Sequence, residues 1–135
     1  MNTRSIKQAL EAQILPVLYG DVAFDTARGG TIVSTEMLFT YLAGALPVTR
    51  ILLVGEVAGV LDDDGQVIER ISPGTEAAAG GVDVTGGMLT KVSDMLALVK
   101  QTPGLEIRIL DGTQAGRLAD ALLGKPVLST LIHAD

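Results

Sequence analysis

The chain has 135 residues, 47% of them hydrophobic and 3% aromatic, with a net charge of -6 at pH 7; that length supports one real core, so a single domain over residues 1–135 is expected. Ten scattered Lys and Arg exclude the clustered cations of a nucleic-acid binder, and the lack of Cys excludes disulfides, iron-sulfur clusters and thiolate zinc sites, in keeping with a reducing compartment. Met1 to Ala12 has no signal-peptide order, and Pro16, Gly55 and Glu56 break the longest apolar stretches, so a cytoplasmic protein without a membrane segment is expected.

In chain order, Asn2 or Thr3 can cap a first helix in which Ile6, Ala9 and Leu10 recur at helical spacing, and the aliphatic run Ile14 to Leu18 reads as a strand ended by Gly20-Asp21. Two short strand-like runs between Val22 and Val33 flank the Gly-rich turn Thr26 to Gly30, which predicts a projecting β-hairpin with an exposed tip. Ser34 is a good N-cap for a helix Thr35 to Leu46, stopped by Pro47, with Met37, Leu38, Tyr41 and Leu42 as its buried stripe. Ile51 to Val54 is uninterrupted rather than alternating, the mark of a parallel strand covered on both faces.

The turn cluster Asp62-Asp63-Asp64-Gly65 leads into a strand Val67 to Ile71, and the small, polar Ser72 to Gly81 reads as a loop. From Met88, apolar residues recur at Val92, Met95, Leu96 and Val99 until Pro103-Gly104, the most regular helical pattern in the chain. Leu105 to Leu110 predicts a strand, Thr113 to Leu123 a helix with Gly124 beyond its end, and Val127 to Ile132 a final strand. This alternation implies an α/β fold with right-handed crossovers and a mainly parallel sheet.

Ligands of open parallel sheets bind beyond the carboxyl ends of the strands, so Gly20-Asp21, Gly55 to Asp62, Thr85 to Gly87 and Asp111-Gly112 are expected on one rim. Thr85-Gly86-Gly87 precedes the strongest helix, where free backbone N–H groups can meet a phosphate, and Lys91 lies one turn further. On spacing alone, however, a plain Gly-rich loop with an exposed lysine explains the same residues. Gly55-Glu56-Val57-Ala58-Gly59-Val60-Leu61-Asp62 could seat a purine or ribose against its glycines, or could form a tight strand-to-hairpin turn. Asp62 and Asp64 suggest a calcium loop only superficially, because Val67 stands where such a loop needs Gly. His133 has no second His or Cys to share a metal, and Met88 and Met95 belong to the apolar stripe of their helix.

Four segments taken together resemble the amino acid kinase superfamily, and within it isopentenyl phosphate kinases: Pro16 to Val22, Thr31 to Glu36, Val57 to Asp62, and Asp83-Val84-Thr85-Gly86-Gly87-Met88-Leu89-Thr90-Lys91. The resemblance covers essentially the whole chain. It implies the nucleotide-binding, C-terminal half of a three-layer α/β/α fold and transfer of a phosphoryl group from ATP, with magnesium bridging the nucleotide phosphates. It assigns the nucleotide to Gly55, Glu56, Gly59, Val60, Leu61, Asp62, Thr85, Gly86, Gly87, Met88, Lys91, Asp111 and Gly112, and the phosphorylated acceptor to Gly20, Asp21, Ser34 and Thr35. Lys91 matches a lysine that neutralises ATP phosphates, and Glu36 stands where an acidic residue orients catalytic lysines.

Thr35-Glu36 departs from the family's usual Gly-Asp, and Gly55-Glu56 from Thr-Asp or Ser-Asp. The family's first Gly-rich loop with its catalytic lysine, and the histidine that binds isopentenyl phosphate, have no counterpart in Met1 to Gln13. A competent site is therefore expected to need a further polypeptide segment, and the aliphatic composition fits a homo-oligomer or association with such a segment. The competing expectations are a non-catalytic nucleotide-binding or regulatory module, and a kinase of the same superfamily acting on acetylglutamate, uridylate or fosfomycin.

Overall fold

A computed structural model describes residues 3–75 and 87–134. The chain divides into two compact units, Met1–Pro47 and Val48–Asp135.

The first unit opens with helix α1 (Arg4–Glu11), whose Ile6 is buried. Thr3 occupies the N-cap position, but its side chain makes no capping hydrogen bond. At the other end Ile14 N donates to Ala9 O at 2.8 Å and Gln13 N to Leu10 O at 3.0 Å, the paired bonds of a Schellman cap. Gln13 holds the left-handed position at φ 59° that glycine normally fills.

The expected strand Ile14 to Leu18 is absent: these residues enter no ladder among the described residues, and Ile14, Leu15 and Val17 are exposed. An aliphatic run becomes a strand only where a partner accepts its backbone hydrogen bonds, and Pro16 has no N–H to offer one. The expected hairpin does form, β1 (Val22–Asp25) pairing antiparallel with β2 (Gly29–Ile32). Asp25 Oδ1 accepts the N–H groups of Ala27 and Arg28 at 2.9 and 2.7 Å, Gly29 takes φ 78°, and the tip is exposed. Helix α2 (Thr35–Ala45) begins at Ser34, whose hydroxyl accepts Met37 N at 3.2 Å. Its inward face differs from the expected stripe. Ala43 is buried and Leu38, Phe39 and Leu42 half-buried, whereas Met37 and Tyr41 are exposed.

The second unit is built on a four-stranded sheet in the order β3-β5-β6-β4, formed by β3 (Arg50–Gly55), β4 (Arg70–Ile71), β5 (Glu106–Asp111) and β6 (Thr130–Ile132). The pairs β3/β5 and β4/β6 are parallel, while β5/β6 is antiparallel. The sheet is thus mainly parallel, as the pattern implies, but β6 returns against β5. The register places Ile51, Ile107, Ile132 and Ile71 side by side across all four strands, every one of them buried. Helix α3 (Gly87–Gln101) packs on β5 and β6 and buries Val92, Met95, Leu96 and Val99 of the predicted stripe, and Leu98 besides, while Met88 is half-buried.

Three expectations for this unit need correction. Strand β3 is covered unevenly: Ile51 and Leu53 are buried, but Leu52 is only half-buried and Val54 exposed. The run Val67 to Ile71 shrinks to one bridge, Val67 with Leu61 across the turn at Asp62, followed by the two-residue β4, which pairs with β6 instead. The expected helix Thr113 to Leu123 is confined to α4 (Arg117–Leu122), and the last strand starts at Thr130 rather than Val127. Asp111 captures the N–H and hydroxyl of Thr113, and Gly116 sits at φ 81°; both keep the segment before Arg117 out of helical geometry. Gly124, at φ 75°, lies just past the helix as expected.

The two helix ends offer a matched test of left-handed strain. At α4, Lys125 N donates to Asp120 O and Gly124 N to Ala121 O, the same two bonds that Gln13 completes at α1, but with glycine at the strained position. Gln13→Gly is expected to raise stability by roughly 0.5–1 kcal/mol, the strain removed less the added freedom of the unfolded chain. Urea unfolding of the two proteins measures this: an unchanged midpoint would mean that the strain only equals the entropy glycine adds to the unfolded chain, and a lower midpoint that the cap carries little or none.

Candidate functional site

The carboxyl ends of β3 and β5 lie together. Gly55 pairs with Asp111, and Gly112 N donates to Gly55 O at 2.8 Å, extending the ladder one residue past the strands. Helix α3 returns to β5 through the short connection 102–105, so its chain direction opposes β5 and its Gly87 end points toward that same edge. Gly87 and Lys91, four residues apart, share one helix face; Gly87 is exposed and Lys91 half-buried. Thr85 and Gly86 lie outside the described residues.

The glycines at this edge fall into two groups. A Cβ on Gly112 would collide with Val54 Cγ1, and one on Gly59 would stand 2.5 Å from Thr130 Oγ1 and 2.8 Å from Val67 Cγ1. Both are glycines because packing demands it. At Gly55 and Gly87 a Cβ would meet nothing within 4 Å, and neither residue has a left-handed backbone. Among the described residues, nothing crowds the space a side chain would take at either position.

The segment following Gly55 is held from within the fold. Val60 N donates to the buried Thr130 Oγ1 at 2.8 Å, and Val60 is itself buried, so neither its N–H nor its side chain is open to solvent. Asp62 Oδ1 accepts the N–H groups of Asp64 and Gln66 at 3.0 and 2.8 Å, while Gly65 takes φ 76°. Leu61 bridges to Val67, so Asp62 to Gly65 is a hairpin turn, one of the two readings its sequence allows. Glu56 is exposed and Met88 half-buried.

Asp111 is the most constrained carboxylate of the edge. Its Oδ1 accepts the Thr113 hydroxyl at 2.7 Å and the Thr113 N–H at 2.8 Å, and its Oδ2 lies 3.5 Å from Arg117 Nη1. The Thr113 hydroxyl first, then its N–H, then the Arg117 charge hold the acid below its ordinary value of 3.8, against the opposing effect of burial. Asp111 therefore shapes the loop 112–116 from its anchored position. Neither Thr113 nor Arg117 was singled out by sequence reasoning; an Asp-Gly-Thr turn after a strand is the available signal for the first. Thr130 left no such signal, because its partner Val60 is seventy residues away.

In the first unit, the residues assigned to the acceptor meet at the base of the hairpin. A Cβ on Gly20 would strike the Val33 carbonyl and stand 3.3 Å from Thr35 N, and Val33 N donates to Asp21 O at 2.9 Å. Asp21 is exposed, with its Oδ1 accepting Val22 N at 2.7 Å, and Ser34 is committed to capping α2. Glu36, in the first turn of that helix, is half-buried and accepts the Thr40 hydroxyl at its carbonyl. Among the described residues there is no group of three His, Cys, Asp or Glu side chains placed to hold a metal ion, and no helix long and apolar enough to cross a membrane.

A family model described as the amino acid kinase family matches residues 1–111. The chain belongs to that family. Isopentenyl phosphate kinase of Haloferax volcanii is 46% identical over 94 residues, covering 66% of this chain and 38% of the relative. The enzyme of the same name from Methanocaldococcus jannaschii is 33% identical over 131 residues, 92% of this chain and 48% of the relative. An X-ray structure of isopentenyl phosphate kinase superposes with TM-score 0.78 at 27% identity, covering 97% of this chain and 50% of that one. Acetylglutamate kinases are among the other relatives. The chain thus spans about half or less of the length of these proteins, and its α/β fold with a mainly parallel sheet is that of the family.

Two outcomes follow from the geometry of the edge. Gly112→Ala is expected to cost about 1–3 kcal/mol through overpacking against Val54, a β-branched side chain with little rotamer freedom, while Gly55→Ala leaves stability nearly unchanged; equal losses in chemical denaturation would refute the sorting. For Asp111, a pKa depressed in the folded state contributes stability that is complete above the unfolded value and fades as pH falls through the folded one. The stability difference between wild type and Asp111→Asn should be constant from pH 7 to about 5 and shrink below about 4. A difference independent of pH would mean that the carboxylate charge does not matter.

Proposed function

We propose that this chain supplies the nucleotide-binding part of an ATP-dependent kinase that phosphorylates isopentenyl phosphate to isopentenyl diphosphate. The observation that carries the proposal is the open main chain at Gly55 and Gly87 on the carboxyl edge of the sheet, with Lys91 one turn into α3. The similarity to isopentenyl phosphate kinases supports the choice of acceptor. Acetylglutamate kinases share the family, so the acceptor is the part of the reading that rests on likeness alone.

Phosphoryl transfer asks for positioning and charge stabilisation rather than a covalent nucleophile. In this reading the N-terminal N–H groups of α3 and the Lys91 ammonium meet the β- and γ-phosphate oxygens, while the strand exit at Gly55 lets the nucleoside lie against the backbone. An oxygen of the acceptor phosphate attacks the γ-phosphorus as its bond to the β,γ-bridging oxygen breaks, and ADP leaves. Magnesium, held mainly by the nucleotide phosphates, would neutralise their charge. Gly20, Asp21, Ser34 and Thr35 are proposed for the acceptor side, and Glu36 for orienting lysine charge. Because relatives are about twice as long, turnover is proposed for the kinase that contains this part together with the rest of the family's length.

Lys91→Ala is expected to weaken ATP about tenfold while changing AMP less than about twofold, since only ATP carries the phosphates this charge would meet. Calorimetric titration of both nucleotides into both proteins gives the comparison. Equal losses for ATP and AMP would remove Lys91 from the phosphate site. Assay of the protein with ATP, magnesium and a panel of phosphorylated acceptors tests the reaction itself.

A further inference from the structure

On the sheet face opposite the isoleucines, the register builds something the kinase reading does not use. Arg108 on β5 and Arg70 on β4 both pair with Leu131 on β6, so the three side chains stand in one row and leave the sheet on the same side. Two strand spacings, about 10 Å, separate the arginine backbones. Both side chains line an open cavity of about 430 Å³ flanked by the segment between α4 and β6, and Lys125 and Glu69 line it as well. The size is that of a small-molecule site. None of the residues assigned to the nucleotide takes part in the lining.

Its charge is the informative feature. A chain with a net charge of -6 brings three of its ten Lys and Arg to one cavity against a single carboxylate. Lys125 Nζ is tied to Asp120 at 2.8 Å, whereas among the described residues the partner of Arg108 Nη1 is neutral, Ser129 Oγ at 3.2 Å. Two guanidinium groups facing one space repel each other, and a bound anion relieves that repulsion. Guanidinium forks match the paired oxygens of phosphate groups in particular. The rest of the wall, Pro126 to Leu128 and Leu131, is largely aliphatic and suits the carbon portion of a small ligand.

We propose that this cavity is a second anion site, which takes a small organic phosphate between Arg70 and Arg108 and is separate from the nucleotide edge. Arg70 and Arg108 bind the phosphate oxygens, Lys125 adds charge at the rim, and the α4–β6 segment closes over the carbon skeleton. Occupancy would join β4, β5 and the α4–β6 segment, so binding should stabilise the second unit.

Inorganic pyrophosphate is a suitable probe. The expected result is saturable binding to this chain by calorimetry, with amide shifts in NMR spectra at residues 69–70, 108 and 124–131. Arg108→Gln should weaken binding by about tenfold or more, the usual worth of a charged hydrogen bond. Arg70→Gln, at an exposed position where folding is not at risk, should weaken it in the same direction. Lys91→Ala should leave it intact, which keeps the outcome independent of the kinase reading. The proposal is overturned by absence of saturable binding at millimolar pyrophosphate, by an equal response to sodium chloride at matched ionic strength, by undiminished affinity in Arg70→Gln, or by loss of binding in Lys91→Ala.

Discussion

The row of isoleucines at positions 51, 107, 132 and 71 is the constraint on which the second unit depends. Each is at least nine-tenths buried, and burial of one such side chain is worth about 1.5–3 kcal/mol. Because side chains alternate faces with period two, a slip of one residue in any pairing would send an isoleucine to the other face and, on β4 and β5, bring an arginine inward. The neighbours of that row are Leu52, Arg108, Leu131 and Arg70. Fixing the isoleucines inward therefore fixes two arginines outward, and the cationic cavity is a consequence of the same register that makes the core.

The register also decides what reaches the carboxyl edge. Counting from Ile51 and Ile107, four residues further along each strand come Gly55 and Asp111, paired side by side. The edge then has to satisfy two opposed demands. It must close against its own core, which Gly112 and Gly59 achieve by letting Val54 and Thr130 approach, and Asp111 by tying down Thr113 and Arg117. It must also leave room beside the main chain, as at Gly55 and Gly87, where a Cβ would meet nothing within 4 Å. Residues that read alike in the sequence divide between these demands only once their neighbours are known.

The parts of the fold that were legible are those decided within a few residues. Helix α3 is written in its 3.6-residue periodicity, α2 in the Ser34 cap and Pro47 stop, the hairpin and the Asp62 turn in their Asp and Gly residues, and the family in four short motifs. What failed was decided at a distance. Whether Ile14 to Leu18 is a strand depends on a partner, which no property of the run itself supplies. The direction of β6 against β5 depends on how the segment 112–129 returns, and the aspartate that shortens its helix reads from sequence as an end of a strand. For the same reason Gly59 could be singled out, but not the Thr130 hydroxyl that explains it.

The hairpin shows where local legibility and stability part company. Its tip is specified by Asp25 and Gly29 and its base by the Asp21–Val33 bond and the bare Gly20, all local features. Yet Val22, its partner Ile32, and Phe24 two residues along share one face of the ribbon, and all three are exposed. A two-stranded ribbon that buries neither face draws its order from turn chemistry and a few ladder bonds, a marginal source of stability in water. The second unit draws on apolar burial across four strands instead. Opening in the first unit should therefore begin at the hairpin and carry with it Gly20 and Asp21 at its base, while Ser34 is held by its cap on α2. Residues proposed for the acceptor thus divide between the foot of a marginal hairpin and the capped start of α2, whereas those proposed for the nucleotide stand at the rim of the core.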